Sequence, residues 1–225
     1  EQKEMSDINC RMPAVALRGL VCLPDMILHF DVSRKKSIAA LEAAMVKDQM
    51  VFLVAQKDPD EEDPKQEGLY IAGAMAKVKQ IVKMPENMVR VVAEGKFRAE
   101  LDEVISVSPY LLTDVIIHDR EEKVENENEA EAMRRVLEEI LQKFIDAGAK
   151  FGPEITRQME QAEDIVKLTN QLCANMPMRW QDRQTLAEKV DFRERYEELC
   201  RIMEKEYDVL LINQDIQNKV KSRLE

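Results

Sequence analysis

The run Val89-Arg90-Val91-Val92-Ala93-Glu94-Gly95-Lys96-Phe97-Arg98-Ala99-Glu100-Leu101-Asp102 carries two strand signatures in succession. Its first half is β-branched and reads as a strand. In its second half Phe97, Ala99 and Leu101 alternate with Arg98, Glu100 and Asp102. That is the period of two expected when one face is buried and the other wet. Gly95 reads as the close of a run, as hairpin connections require. Short β-branched runs of the same kind lie at 15–17, 26–32, 51–55 and 115–117. Met84-Pro85-Glu86-Asn87-Met88 separates two apolar runs and reads as a turn. Many short strands with local turns predict a small, mostly antiparallel β-barrel over residues 1–120.

One helix interrupts the strands. Ser33 reads as its N-cap, with Ile38, Leu41 and Met45 at helical spacing, so it packs on one face of the barrel. Asp58-Pro59-Asp60-Glu61-Glu62-Asp63-Pro64 places two prolines among five carboxylates and reads as a solvated loop.

After Asp119 the period changes from two to 3.6, and the Glu- and Asn-rich stretch 121–131 marks the seam between modules. Met133, Val136, Leu137, Ile140, Leu141 and Phe144 outline an amphipathic helix that Gly148 closes. Further helices are expected over about 153–173 and 179–189, completing a bundle at 121–190. The last helix, 191–225, opens with Asp191 and Glu194 spaced as in a capping box. Its stripe of Phe192, Tyr196, Leu199, Met203, Tyr207 and Leu210 continues through Ile216, Val220 and Leu224. At 1.5 Å per residue it approaches ~50 Å. A helix of that length cannot bury its whole stripe on so small a domain, so Met203, Tyr207, Leu210 and Leu211 are the candidates for contacts with other helices or subunits. The stripe is still running at the last residue, as in a chain that continues.

The 225 residues suffice for one or two domains, and a composition of 45% hydrophobic and 34% charged but 5% aromatic residues suits a helix-rich protein with an aliphatic and methionine core. No apolar run approaches the ~20 residues that cross a bilayer, and the N-terminal residues lack the pattern of a secretory signal, so a cytoplasmic location is expected. Cys10, Cys22, Cys173 and Cys200 show no CxxC pairing and read as free thiols. The net charge is −11 and neither half is basic, which disfavours nucleic acid as a partner; only Arg34-Lys35-Lys36 clusters cations.

The search for chemistry is mostly negative. His29 and His118 sit in strand-like runs without metal-ligand spacing, and the six glycines form no phosphate-binding loop. Ser33-Arg34-Lys35-Lys36 matches the serine–lysine SxxK spacing, but SDN and KTG partners are missing and the helix-cap reading of Ser33 is preferred over a hydrolase. Trp180, between Met178 and Leu186, reads as a core anchor before a binding platform. No catalytic, cofactor or metal residue is assigned.

Pro13-Ala14-Val15-Ala16-Leu17-Arg18-Gly19-Leu20-Val21-Cys22-Leu23-Pro24-Asp25-Met26 resembles the opening strand and loop of the Lon amino-terminal domain family. Ser37-Ile38-Ala39-Ala40-Leu41-Glu42-Ala43-Ala44-Met45, then Leu53-Val54-Ala55-Gln56-Lys57-Asp58, then Glu94-Gly95-Lys96-Phe97-Arg98-Ala99 follow in the family's order. Arg195-Tyr196-Glu197-Glu198-Leu199 and Glu204-Lys205-Glu206-Tyr207-Asp208-Val209-Leu210 look like its helical segment. Asp25 stands where the family usually has Gly, and His29 where Pro is common. The resemblance implies an α+β chain: a PUA-like barrel with one packed helix, a helical bundle and a long exit helix. It also implies a larger parent, a hexameric ATP-dependent serine protease whose ATP- and Mg-binding AAA+ module and Ser–Lys peptidase lie outside this sequence. The chain's own role would be recognition of unfolded or damaged proteins and support of hexamer assembly. Flexible methionines suit a surface that tolerates varied clients, and Met84, Pro85 and Met88 at the turn are the candidate contacts. A stand-alone adaptor binding protein clients or a small ligand is the alternative, and an RNA-binding module a weaker one resting on the PUA-like analogy alone.

Overall fold

The computed structural model describes residues 7–120 and 122–224. They fall into two compact units, residues 7–120 with 179–190 and residues 122–178 with 191–224.

The first unit is built on a mixed sheet of β1 (Ile8–Leu17), β2 (Ile27–Val32), β3 (Met50–Ala55), β4 (Ala72–Met84), β5 (Met88–Ser106) and β6 (Leu111–His118). The order is β2-β5-β4-β3-β1-β6, and β5 also pairs with β6. Pairing therefore runs round from β5 back to β5 and leaves β2 outside the ring, so the sheet is not a regular barrel. Only β1 and β3 are parallel. A parallel pair needs a crossover, and the crossover contains α1 (Lys35–Met45), whose Ala40, Leu41 and Ala44 are buried.

The strands of that pair are covered on both sides. Val15, Leu17, Val51 and Leu53 enter one apolar cluster, while Ala14, Ala16, Phe52 and Val54 enter another. Burial on both faces explains why residues 51–55 form an unbroken apolar run rather than an alternating one.

The alternation of 97–102 holds only in part. Ala99 and Leu101 are buried as expected, but so is Arg98, because α5 (Trp180–Glu188) covers that face; the Arg98 Nη2 donates to the Leu186 carbonyl at 3.5 Å. Gln184 Nε2 donates to the Ala72 carbonyl at 3.0 Å on the same helix. Residues 179–190, which the periodicity assigns to the bundle, thus pack with the strands. Nor is Gly95 at a turn. It lies within β5, where its N–H donates to Met26 O and its carbonyl accepts from Asp25 N, pinning the loop that follows β1.

The second unit holds α2 (Glu127–Asp146), α3 (Pro153–Gln161), α4 (Ile165–Asn175) and α6 (Phe192–Leu224). Asn126 caps α2 by accepting from the N–H groups of Asn128 and Glu129, so the helix begins inside the stretch read as a seam. Gly148 follows its C-terminus at φ +86, the left-handed position that ends helices. The helix expected over 153–173 is two. Asp164 accepts from Lys167 N at 2.7 Å and starts α4 afresh, a break that no Pro or Gly announces. Asp191 does the same for α6, accepting from Glu194 N at 3.1 Å. In the first half of α6 Phe192, Arg195, Leu199, Ile202 and Met203 are buried, and the Tyr196 hydroxyl donates to Met133 O. Arg195 is fully buried, paired with Glu122. No helix among the described residues is long and apolar enough to cross a membrane.

Candidate functional site

β4 and β5 form a hairpin joined by Pro85, Glu86 and Asn87, and β2 runs beside β5 as far as Val89, so only the Met84–Met88 pair and the turn extend beyond the paired strands. Glu86 and Asn87 both take positive φ, 65° and 58°, which Asn accommodates more readily than Glu. Met84 pairs with Met88 and Val82 with Arg90. Residues opposite one another, or two apart on a strand, share a face, so Val82, Met84 and Met88 lie together. Val82 is 40% exposed and Met88 36%; Met84 is half-buried and Pro85 exposed. The other face is the anchor: Val89 and Val91 are buried in the core, with Ile81 packed against it. Where the apolar face ends, Arg90 forks onto Asp31 at 3.0 and 3.3 Å. That bond holds the Asp31 carboxyl below its usual range.

The three residues singled out at the turn, Met84, Pro85 and Met88, are thus brought together, and Val82 joins them. Val82 was missed because a strand reading alone does not say which face of β4 leaves the core. The arrangement offers no proton donor or nucleophile. It offers an adaptable apolar strip without a fixed shape, suited to packing against varied apolar side chains.

The four α6 residues divide. Met203 is 1% exposed and fills the interior of its own unit, so it is not available to another subunit. Tyr207 packs edge-on against Phe144 with Lys143 over its ring. Leu210 is half-buried and Leu211 is 40% exposed. Farther along, Ile212, Ile216, Val220 and Leu224 are 52–83% exposed at four-residue spacing, one bare stripe. Leu210 also lines an apolar groove of about 260 Å³ with Phe144, Phe151, Met176, Pro177 and Val209, which sequence reasoning did not find.

Ser33 is not the cap of α1. The N-cap is Arg34, without a side-chain bond, and the Lys36 ammonium goes to Asp63 at 2.8 Å. His29 is exposed on β2, and His118 lies between Asp7 and Glu100. Among the described residues no three His, Cys, Asp or Glu side chains gather as metal ligands would. Trp180 is half-buried against Tyr70 and Gly19, and so fastens α5 to the strands. All four cysteines are free.

The profile of the family described as ATP-dependent protease La (LON) substrate-binding domain matches residues 11–205. The chain is 39% identical to the Lon protease of Lachnoclostridium phytofermentans over 98% of its own length and 27% of that protein's. It is 31% identical to Lon protease 1 of Bacillus subtilis, covering 97% of itself and 28% of the relative. The chain therefore spans about a quarter of the curated relatives it matches. Among solved structures, the N-terminal domain of Mycobacterium avium complex Lon protease superposes with a TM-score of 0.64 at 16% identity, over 87% of this chain and 98% of that one. A Lon N-terminal domain protein from Xanthomonas campestris gives 0.59 at 14%, over 84% and 96%. These two show a shared fold, and the profile and the curated relatives show descent: the chain belongs to the Lon substrate-binding domain family.

Proposed function

We propose that this chain is the client-recognising part of an ATP-dependent serine protease that degrades misfolded, damaged and short-lived proteins, and that it performs no catalysis itself. ATP and Mg belong to a module beyond this sequence in that reading, and the parent works as a homohexamer in the cytoplasm. The observation that carries the recognition role is the apolar face at the end of the β4–β5 hairpin, with Val82 and Met88 exposed and Met84 half-buried between them. Apolar side chains are plentiful on unfolded proteins and mostly buried on folded ones, so an apolar strip selects the unfolded form by the area it can cover. Pro85 stiffens the connection at which the strip ends. For α6, the bare stripe from Ile212 to Leu224 supports contacts with neighbouring copies in the assembled ring, with Tyr207, Leu210 and Leu211 at its near end.

The test replaces Met84 and Met88 together by Ser and measures fluorescence anisotropy of a labelled unfolded protein. Losing most of two methionine contacts should weaken binding by roughly ten- to a hundredfold at about 25 cal/mol per Å². Unchanged affinity would move recognition elsewhere.

A further inference from the structure

Among the described residues β2 pairs with one neighbour only, β5, and so leaves its other edge open. Which backbone groups face that edge follows from the bonds at its start. Met26 stands opposite Gly95 in the register that β2 continues, and the Gly95 N–H donates to Met26 O at 2.9 Å. Opposite residues of an antiparallel pair alternate between those that bond each other and those that do not. Leu28, Phe30 and Val32 therefore bond to β5, and the N–H and C=O groups of Ile27, His29 and Asp31 point outward. No hydrogen-bond partner reaches these outward groups among the described residues. Edge strands are commonly guarded by proline, lysine or a bulge, because a bare row of main-chain groups is a template for another strand. β2 contains no proline or lysine, and its register against β5 is unshifted from Ile27 to Val32.

A cleft of about 230 Å³ lies along the same edge. Phe30 and Asp31 point to opposite faces of the sheet, one buried and one exposed, yet both line this cleft together with Val32. What they share is the edge of the strand, and the edge toward β5 is occupied. Ala16, Leu17 and Leu20 form the facing wall, which leaves room for one apolar side chain.

We propose that β2 takes an extended segment of an unfolded client as an added strand, with one apolar side chain of that segment in the cleft. The inference rests on the recognition role proposed above and names how the client's main chain is held. Ile27, His29 and Asp31 each offer it one donor and one acceptor. A folded protein has its main-chain groups already paired, so a bare edge selects the unfolded form whatever its sequence, while the cleft favours an apolar residue at one position. The added strand lies two strand spacings, about 10 Å, from β5. Asp31 stands opposite Arg90 and Arg90 opposite Val82, so its outward side chains share the face of Val82, Met84 and Met88. A second copy of this chain fits less well. Each copy carries a net charge of −11, and the inward side chains of β2, Leu28 and Phe30, are already buried in its own core and cannot fill the cleft of a partner.

The experiment follows backbone amide hydrogen exchange by NMR in the 225-residue chain, free and with a reduced, carboxymethylated protein as the unfolded client. In the free chain the amides of Ile27, His29 and Asp31 should exchange at least about tenfold faster than those of Leu28, Phe30 and Val32. Saturating client should slow the first three by at least about tenfold, a protection at alternate residues that docking of side chains alone does not produce. His29→Pro removes one outward N–H and leaves the ladder to β5 intact, so it should weaken the client about tenfold in fluorescence anisotropy. His29→Ala keeps that N–H and should stay within about twofold of the wild type. Client binding with the Ile27, His29 and Asp31 amides still exchanging freely would overturn the strand addition and leave the recognition role standing. No binding of the client at all would overturn both. Protection that grows with protein concentration in the absence of client would assign the edge to a second copy and likewise overturn the proposal. If His29→Pro fails to fold, the exchange pattern of the wild type decides.

Discussion

At Gly95 the backbone of β5 passes so close to the loop after β1 that a Cβ there would stand 2.0 Å from the Leu23 carbonyl oxygen and 3.2 Å from the Cys22 sulfur. Neither neighbour is a flexible side-chain end, and the loop is tied on both sides of the glycine by backbone bonds. Gly95→Ala should therefore cost about 3 kcal/mol or more, read by urea denaturation; a loss below ~1 kcal/mol would mean that the loop moves aside freely. The same packing buries Cys22, whose thiol is pushed up to about 12 by desolvation. An acid whose folded pKa is raised keeps its full contribution below its unfolded value of about 9 and loses it as pH rises toward 12. Between pH 8 and pH 10 the wild type should lose about 1 kcal/mol more than Cys22→Ala does. In native protein at neutral pH, alkylation should reach the half-buried Cys10 before Cys22. Asp25 is another residue whose place in the chain has a backbone reason: its φ is +65°, a conformation that glycine adopts without cost, which accounts for Gly being usual at this position in the family it resembles.

Helix ends decide much of what could be read at the level of elements. Gly148→Ala keeps open space around the new methyl but strains a residue at φ +86, so it should destabilise the helical unit by about 1 kcal/mol in thermal or urea unfolding. Position-specific signals of this kind were legible: Gly148 after α2, Asp191 before α6, and the Pro85-Glu86-Asn87 turn all stand where the sequence places them. Signals that depend on what covers a surface were not. Arg98 alternates as a wet residue, yet α5, more than 80 positions away in the chain, lies over it. Ser33 has the chemistry of a cap but the helix starts one residue too late for it to act as one. The break before Asp164 lacked Pro or Gly and passed as continuous helix. At the candidate site, the turn residues were legible because methionines flank a turn, whereas Val82 and the groove around Leu210 needed the register and the packing of other helices.

On the scale of the molecule, two units with separate cores divide the labour that we propose. The strands present an apolar strip, and the helical unit extends α6 well past its own core. The most direct test of the recognition claim is fluorescence anisotropy of this chain at physiological salt with one labelled protein in its unfolded form, the same protein folded, and an RNA oligomer. The account predicts saturable binding of the unfolded form, weakened by Met84→Ser with Met88→Ser, and none of the folded form or the RNA. Equal binding of folded and unfolded protein, or binding of neither, would contradict it.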